Sequence, residues 1–251
     1  MPKFAHILVK AIAALLVGSI SALFGFVGFT VWRIDAQLSL PSYSELTAIS
    51  AANPICSSNG ERIFIPFAAI PPTVRNAFLA AEEPDFFIRQ EIYILTELAR
   101  AALLDQRPGH SAISSMVVRC IVSSKRDSHV PAGDWHVGTA VLFTRVEAAV
   151  SKDTIFEVYM NETWLGRGAY GAGAAAAAYF GKSLAELNLD EAAFLAGLVR
   201  QPSLVRRGEK ASLQRRNFVL DRMRQAGMIS AEEVASAKVQ PLILRSVSGP
   251  G

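Results

Sequence analysis

Between Lys10 and Arg33 the chain runs AIAALLVGSISALFGFVGFTVW, 22 residues without a charged side chain. No other stretch limits the fold as strongly. At about 1.5 Å of rise per residue it makes a helix of about 33 Å, enough to cross a hydrocarbon core of about 30 Å. Lys3, Lys10 and the amino terminus precede it, and Arg33 is followed by Asp35. That positive excess predicts an N-terminus in the cytoplasm and the remainder of the chain outside. Trp32 at the far boundary suits an interfacial aromatic. A cleaved signal peptide is the alternative, but its apolar core spans only about 7 to 15 residues, and no clear A-x-A site comes after the run here. The reading is an uncleaved single-pass anchor, with residues 1–33 as cytoplasmic tip and span.

The chain beyond the span is long enough for one globular domain. The net charge of +3 is too small for a nucleic-acid binder, and no basic patch is interleaved with aromatics. Cys56 and Cys120 form no CxxC pair, and His6, His110, His129 and His136 stand at no metal-ligand spacing. No metal site is expected from the residues. Two free thiols are expected, with a disulfide as the alternative in an exported domain.

Residues 34–72 read as a connector. Pro41, Pro54, Pro66, Pro71 and Pro72 break up any long helix, and SSNGERIFIPF predicts a turn at Asn59-Gly60 leading into a short strand. From Thr73 onward, in a domain spanning 73–251, the pattern is helical. In TVRNAFLAAEE, Val74, Ala77, Phe78 and Ala81 share one face. IYILTELARAALL continues that way. SAISSMVVRCIVSS is apolar and β-branched, and periodicity alone leaves helix or strand open. DSHVPAGDW reads as loop and VGTAVLFTRVEAAV as helix. Ser151 caps the next helix, and AGAAAAAYF and LDEAAFLAGLV come after it, the latter apolar on all sides and so buried. Ser230 and Glu233 form a capping box for a last helix. No strand-helix alternation appears, so the fold class is mainly α.

GRGAYG, Gly166 to Gly171, has the spacing of a dinucleotide fingerprint, but a helical segment precedes it where that fingerprint needs a strand. Its glycines are expected to serve a tight loop. No lysine has a serine three positions before it and G-x-S-x-G is absent, so serine acyl-enzyme chemistry has no support. AAEEPDFF is the stretch with chemical promise. Glu82 and Glu83 end a helix that Pro84 stops. The Glu82 carboxylate, at a helix C-terminus, beside Glu83 and near Phe86 and Phe87, is expected to have a raised pKa, as suits a general base. A solvated Glu-Glu pair is the alternative that these residues alone leave open.

LPSYSEL, IPPTVRNAFLAAEE, SKDTIFEVYMNETWLGRGAYGAGAAAAAYFGK, LNLDEAAFLAGLVRQPS and RRNFVLDRMRQAGMIS succeed one another in an order and spacing that resembles the peptidoglycan glycosyltransferases of glycosyltransferase family 51. That family comprises the monofunctional transglycosylases and the polymerase domain of class A penicillin-binding proteins. The resemblance covers nearly the whole chain after the anchor. It implies a lysozyme-like helical domain on the outer face of the bacterial cytoplasmic (inner) membrane. Lipid II and the growing glycan strand are the implied substrates, and other cell-wall synthesis proteins the implied partners. A divalent cation such as Mg is the implied cofactor. The implied reaction joins a sugar 4-hydroxyl to C1 of the growing chain while polyprenyl pyrophosphate leaves.

Carried over position by position, Glu82 falls on the catalytic glutamate of the family's E-D-x-x-F motif and Phe86 on its aromatic. Glu83 stands for the aspartate, Arg89 for a histidine and Glu91 for a glycine. The second motif, G-x-S-T-I-T-Q-Q-x-x-K, reads here GHSAISSMVVR, keeping Ser111, Ile113 and the charge of the lysine at Arg119. The third, R-K-x-x-E, falls on Trp135, His136 and Thr139, so its basic pair and second carboxylate are absent; Glu147 matches a structural glutamate further along. A shifted register would bring Arg145 toward the phosphates. The candidate site is therefore Glu82 as base, with Glu83, Phe86, Arg89, Ser111, Arg119, His136 and Arg145 binding substrate. This leaves two readings: a glycan polymerase, or a relative that binds lipid II, glycan or a partner without turnover. A lytic enzyme is a third, weaker one. With no transpeptidase segment before Gly251, penicillin binding is not expected.

Overall fold

The N-terminal helix runs further than the apolar stretch that predicts it. In this computed structural model, which describes residues 2–50, 60–89, 111–123 and 132–246, α1 spans Pro2–Leu38. Its segment Ile12–Leu38 is long and apolar enough to cross a membrane. Leu15, Phe24 and Phe26 are exposed on its flanks, while the Ser19 and Thr30 hydroxyls donate to carbonyls one turn back and so hide their polarity. The last turns differ: Ile34 and Leu38 are buried, packed against α5 (Ala132–Ala149) at Val137 and Val141. The boundary at residue 33 thus falls inside a continuous helix. Ser39, with φ of 47°, turns the chain out of it.

A capping box between Ser42 and Glu45 opens the short α2 (Tyr43–Thr47), which buries Leu46. The connector's strand is two residues long: β1 (Glu61–Arg62) pairs in parallel with β2 (Ala169–Tyr170), Glu61 opposite Ala169. The predicted turn residue Asn59 lies outside the described residues. Two prolines start α3 (Pro72–Glu82), and Val74, Ala77, Phe78 and Ala81 all face the core as their spacing predicts. Glu83 leaves helical geometry before Pro84, which closes the helix.

The ambiguous apolar segment is a helix, α4 (Ala112–Ser123), with Ile113, Val117, Val118, Ile121 and Val122 inward. The predicted loop at DSHVPAGDW is corrected in its second half, because α5 already begins at Ala132. The Ser151 cap holds α6 (Lys152–Glu162) by accepting from the Thr154 amide. GRGAYG makes the tight loop expected of it: Gly166, Gly168 and Gly171 all have φ between 75° and 84°. Then come α7 (Ala172–Phe180), the buried α8 (Leu189–Leu198), α9 (Glu209–Gln225) and α10 (Ala231–Lys238), the last opened by the predicted Ser230–Glu233 box. The fold is mainly α, as predicted. α3, α8 and α9 pack into one half of the core, and α4 against α5 and α6 into the other. The helix expected at IYILTELARAALL lies outside the described residues. Cys120 is disulfide-bonded, which overturns the expectation of two free thiols; Cys56 is outside the described residues.

Candidate active site

Two neighbouring carboxylates leave the end of α3 in opposite directions. The Glu82 side chain is only 5% exposed, yet its partner is a surface group: Arg200, 59% exposed, donates from Nε to Oε1 at 2.9 Å and from Nη2 to Oε2 at 3.2 Å. Arg200 stands just past the C-terminus of α8, so α8 packing on α3 sets this pair. Further cations come from α9. Arg215 donates from Nε to the Gly197 carbonyl and lies over the Phe218 ring, and Arg222 donates to the carbonyl of Ala80. Burial lowers the Arg215 pKa, while the nearby Glu82 charge raises it. The Tyr159 hydroxyl, fully buried, has no hydrogen-bond partner among the described residues. Burial first, then the charge of Glu82, pushes its pKa well above the usual phenol value, so it stays neutral. Beside Arg200 an open pocket of about 260 Å³ is lined by Gln201, Arg207, Gln214 and Arg215 over Leu204 and Phe218.

Glu83 points the other way, into a buried ionic network. It accepts from the Ser111 hydroxyl at 2.6 Å and pairs with Arg89 Nε at 2.9 Å. The same guanidinium donates from Nη2 to Glu147 at 3.1 Å. Glu147 also accepts from Ser114 and Lys152. Ser111 caps α4 by accepting from the Ser114 amide. Burial raises the pKa of Glu83 above its ordinary value, against the Ser111 hydrogen bond and the Arg89 charge. Glu147 is held below its ordinary value: burial opposes this, but the hydrogen bonds from Lys152 and Ser114 and the charges of Lys152 and Arg89 outweigh it. The carboxyl that burial pushes up next to Phe86 is thus Glu83.

The predicted site residues separate into groups. Glu83, Arg89 and Ser111 meet in this network beneath Glu82. Phe86 does not line a cleft. It is fully buried among Phe87 and Phe156, with the Lys152 ammonium 4.8 Å above its ring, and it packs the loop after α3. Arg145 is turned away from the site, because its face of α5 meets the end of α1; its guanidinium grips Asp35 and the Pro41 carbonyl. Arg119 is exposed on α4 and His136 is half-buried on α5. The Thr139 hydroxyl donates back to the Trp135 carbonyl. No motif in the sequence singles out Arg200, Arg215, Arg222, Tyr159, Ser114 or Lys152. One signal exists for two of them: Arg215 and Arg222 are seven apart on a helix, hence on one face.

Among the described residues no group of three or more His, Cys, Asp or Glu could hold a metal ion. Glu82, Glu83 and Glu147 are each covered by arginine or lysine, so these residues do not fit a divalent cation.

A family model described as "Transglycosylase" matches residues 50–224. Penicillin-binding protein 1A of Rickettsia felis is 31% identical over 242 residues, 88% of this chain and 30% of that protein. Penicillin-binding protein 1A of Aquifex aeolicus is 32% identical over 88% of this chain and 32% of its own length. The chain thus spans about a third of the length of these relatives. A protein of Cupriavidus necator named as a transglycosylase is 34% identical over 84% of this chain and 88% of that one. The crystal structure of Penicillin-Binding Protein 1A from Haemophilus influenzae aligns with a TM-score of 0.47 at 26% identity, covering 79% of this chain and 21% of that one. With the family model matched over more than half of its length, the chain belongs to the transglycosylase family.

Proposed function

We propose that this chain is a membrane-anchored peptidoglycan glycosyltransferase that acts on lipid II, with Glu82 as the general base. The observation that carries the proposal is the environment of Glu82. It is a nearly buried carboxylate at a helix end, paired with the exposed Arg200 and within reach of the charge of Arg215, whose guanidinium is fixed to the Gly197 carbonyl. Glycan extension from a lipid pyrophosphate needs both elements: a base for the sugar 4-hydroxyl and positive charge for the departing pyrophosphate. Glu82 accepts the hydroxyl proton as that oxygen bonds to C1 of the growing strand and the C1–O bond to the pyrophosphate breaks. Arg200 must first release Glu82, and its exposed guanidinium is free to turn. No step runs through a metal.

The N-terminus lies in the cytoplasm and the domain outside, carried at the bilayer surface where a polyprenyl substrate resides. The charges flanking the apolar run support this orientation. So does the disulfide at Cys120, which suits an oxidising compartment.

A second reading, binding without turnover, is favoured by Trp135, His136 and Thr139, which offer neither the second carboxylate nor the basic pair. Labelled lipid II supplied in bilayers separates the two. Polymer that falls about 10²- to 10⁴-fold in Glu82→Gln supports the enzyme. Saturable binding without polymer establishes the second reading. Polymer that persists in Glu82→Gln overturns the choice of base.

A further inference from the structure

We infer that the end of α1 and the face of α5 form a clamp holding the domain at one fixed orientation on its anchor, so that Arg33, Asp35, Asp134, Gly138 and Arg145 are positioning residues for the proposed reaction. The inference rests on the membrane-anchored reading above.

Three observations carry it. The first is a pair of crossed ion pairs. Arg33 of α1 donates twice to Asp134 of α5, at 2.8 and 3.0 Å, and Asp35 of α1 accepts twice from Arg145 of α5, at 2.8 and 2.9 Å. Asp134 and Arg145 are eleven residues apart, about 16 Å along a helix. Two pins that far apart fix a crossing angle, where one pin would leave a pivot. Each helix also carries one acid and one base, so a shifted register would bring like charges together.

The second is the contact between the pins. Ile34 and Leu38 bury themselves against Val137 and Val141. A Cβ on Gly138 would lie 2.2 Å from Leu38 Cδ1 and 3.3 Å from Ile34 Cγ2. The glycine sets how closely the two helices approach.

The third is the connection to the site. Two residues beyond Arg145, Glu147 enters the buried network through Arg89 to Glu83, the neighbour of Glu82. One rigid helix thus holds the anchor with some residues and the carboxylate loop with others. A flexible tether would let the site tumble above the lipid. A clamp keeps it facing one way.

The test uses the full chain in lipid nanodiscs. Spin labels on p-acetylphenylalanine at Ile20 and Asp153 avoid the native cysteines. The wild type is expected to give one narrow distance distribution and the double variant Arg33→Ala/Asp35→Ala a distribution at least twice as wide. Asp35→Arg alone is expected to broaden it as well, and the swap Asp35→Arg/Arg145→Asp to return the narrow one, which a merely misfolded variant would not do. A broad wild-type distribution, or a double variant as narrow as wild type, overturns the clamp. This readout needs no turnover, so a chain that is clamped but makes no polymer refutes only the enzymatic reading. Where polymer is made, the double variant is expected to lose at least tenfold on long-chain lipid II in nanodiscs. It keeps its rate on a water-soluble short-chain analogue in free solution. Equal losses on both substrates overturn the positioning role.

Discussion

Removing Arg89 should cost more than any other single change at the site. Its guanidinium bridges two carboxylates, and all three side chains are nearly dry: 12% exposed for Arg89, 7% for Glu83 and 3% for Glu147. Breaking a buried pair from one side costs about 3–5 kcal/mol, because the remaining charge is left uncompensated. Glu147 keeps Lys152, whereas Glu83 keeps, among the described residues, only the Ser111 hydroxyl. Arg89→Ala should therefore lose about 3–5 kcal/mol, a large part of a typical stability of about 5–15 kcal/mol. For a chain of this size that is a fall in Tm of about 6–20 °C. Arg89→Lys keeps the charge but not the fork, reaches one carboxylate at a time, and should fall between.

The pH dependence supplies the sharper check. The folded-state pKa of Glu83 lies above its ordinary value, so in the interval between the two the native state binds a proton that the unfolded chain has released. Its ionisation destabilises the fold, and stability rises as pH falls through that raised pKa. Glu147 has the opposite sign: its contribution is present above the ordinary carboxylate value and is lost as pH falls through its lowered one. Of these two carboxylates, only Glu83 acts above the ordinary carboxylate range. Without Arg89 to oppose burial, the Glu83 pKa climbs further, so the deficit of Arg89→Ala should narrow as pH falls from about 8 to about 5. Denaturant melts at both ends of that range measure it. A deficit below about 1 kcal/mol, or one that widens on acidification, would refute the buried network.

Two other changes test the surroundings. Tyr159→Phe removes a buried hydroxyl that has no partner among the described residues, so stability should hold or rise by up to about 1 kcal/mol in urea melts; a loss above about 2 kcal/mol would reveal a partner. Gly171→Ala puts a Cβ 2.5 Å from the Asn161 carbonyl oxygen at a φ of 83°, and should cost at least about 2 kcal/mol by thermal unfolding, against no change if the loop relaxes freely.

The helices are legible in the sequence where one face alone is apolar. Val74, Ala77, Phe78 and Ala81 announce α3, and the Ser230–Glu233 box announces α10. α4 is not decidable that way, because Ile113, Val117, Val118, Ile121 and Val122 are β-branched and sit in an almost wholly apolar segment, so the 3.6 and 2 periods overlap. The start of α5 is hidden by Pro131-Ala-Gly, which reads equally as a loop and as the proline-led opening of a helix. The extension of α1 past Arg33 is hidden because its charges pair with α5 across a hundred residues, a tertiary fact with no local signature. Arg200 on Glu82 is hidden for the same reason.

The departures from the family pattern read differently in space than along the chain. Taken singly, Glu83 for aspartate and Arg89 for histidine are two defects in one motif. In the fold their charged ends meet at 2.9 Å, and the longer acid reaches the longer base. That makes them one exchange with two halves. The Arg89 fork also reaches Glu147, which accepts further hydrogen bonds from Ser114 and Lys152. A decaying site would leave orphaned charges in the core, each costing several kcal/mol. This one has each buried carboxylate facing a cation. Such a paired exchange makes a demand that a single substitution cannot meet: Glu83→Asp and Arg89→His should each destabilise, and the double change should recover at least about 1 kcal/mol of their summed loss, as coupled neighbours do. Strictly additive losses would mean that the two positions drifted independently and that their contact carries no energy.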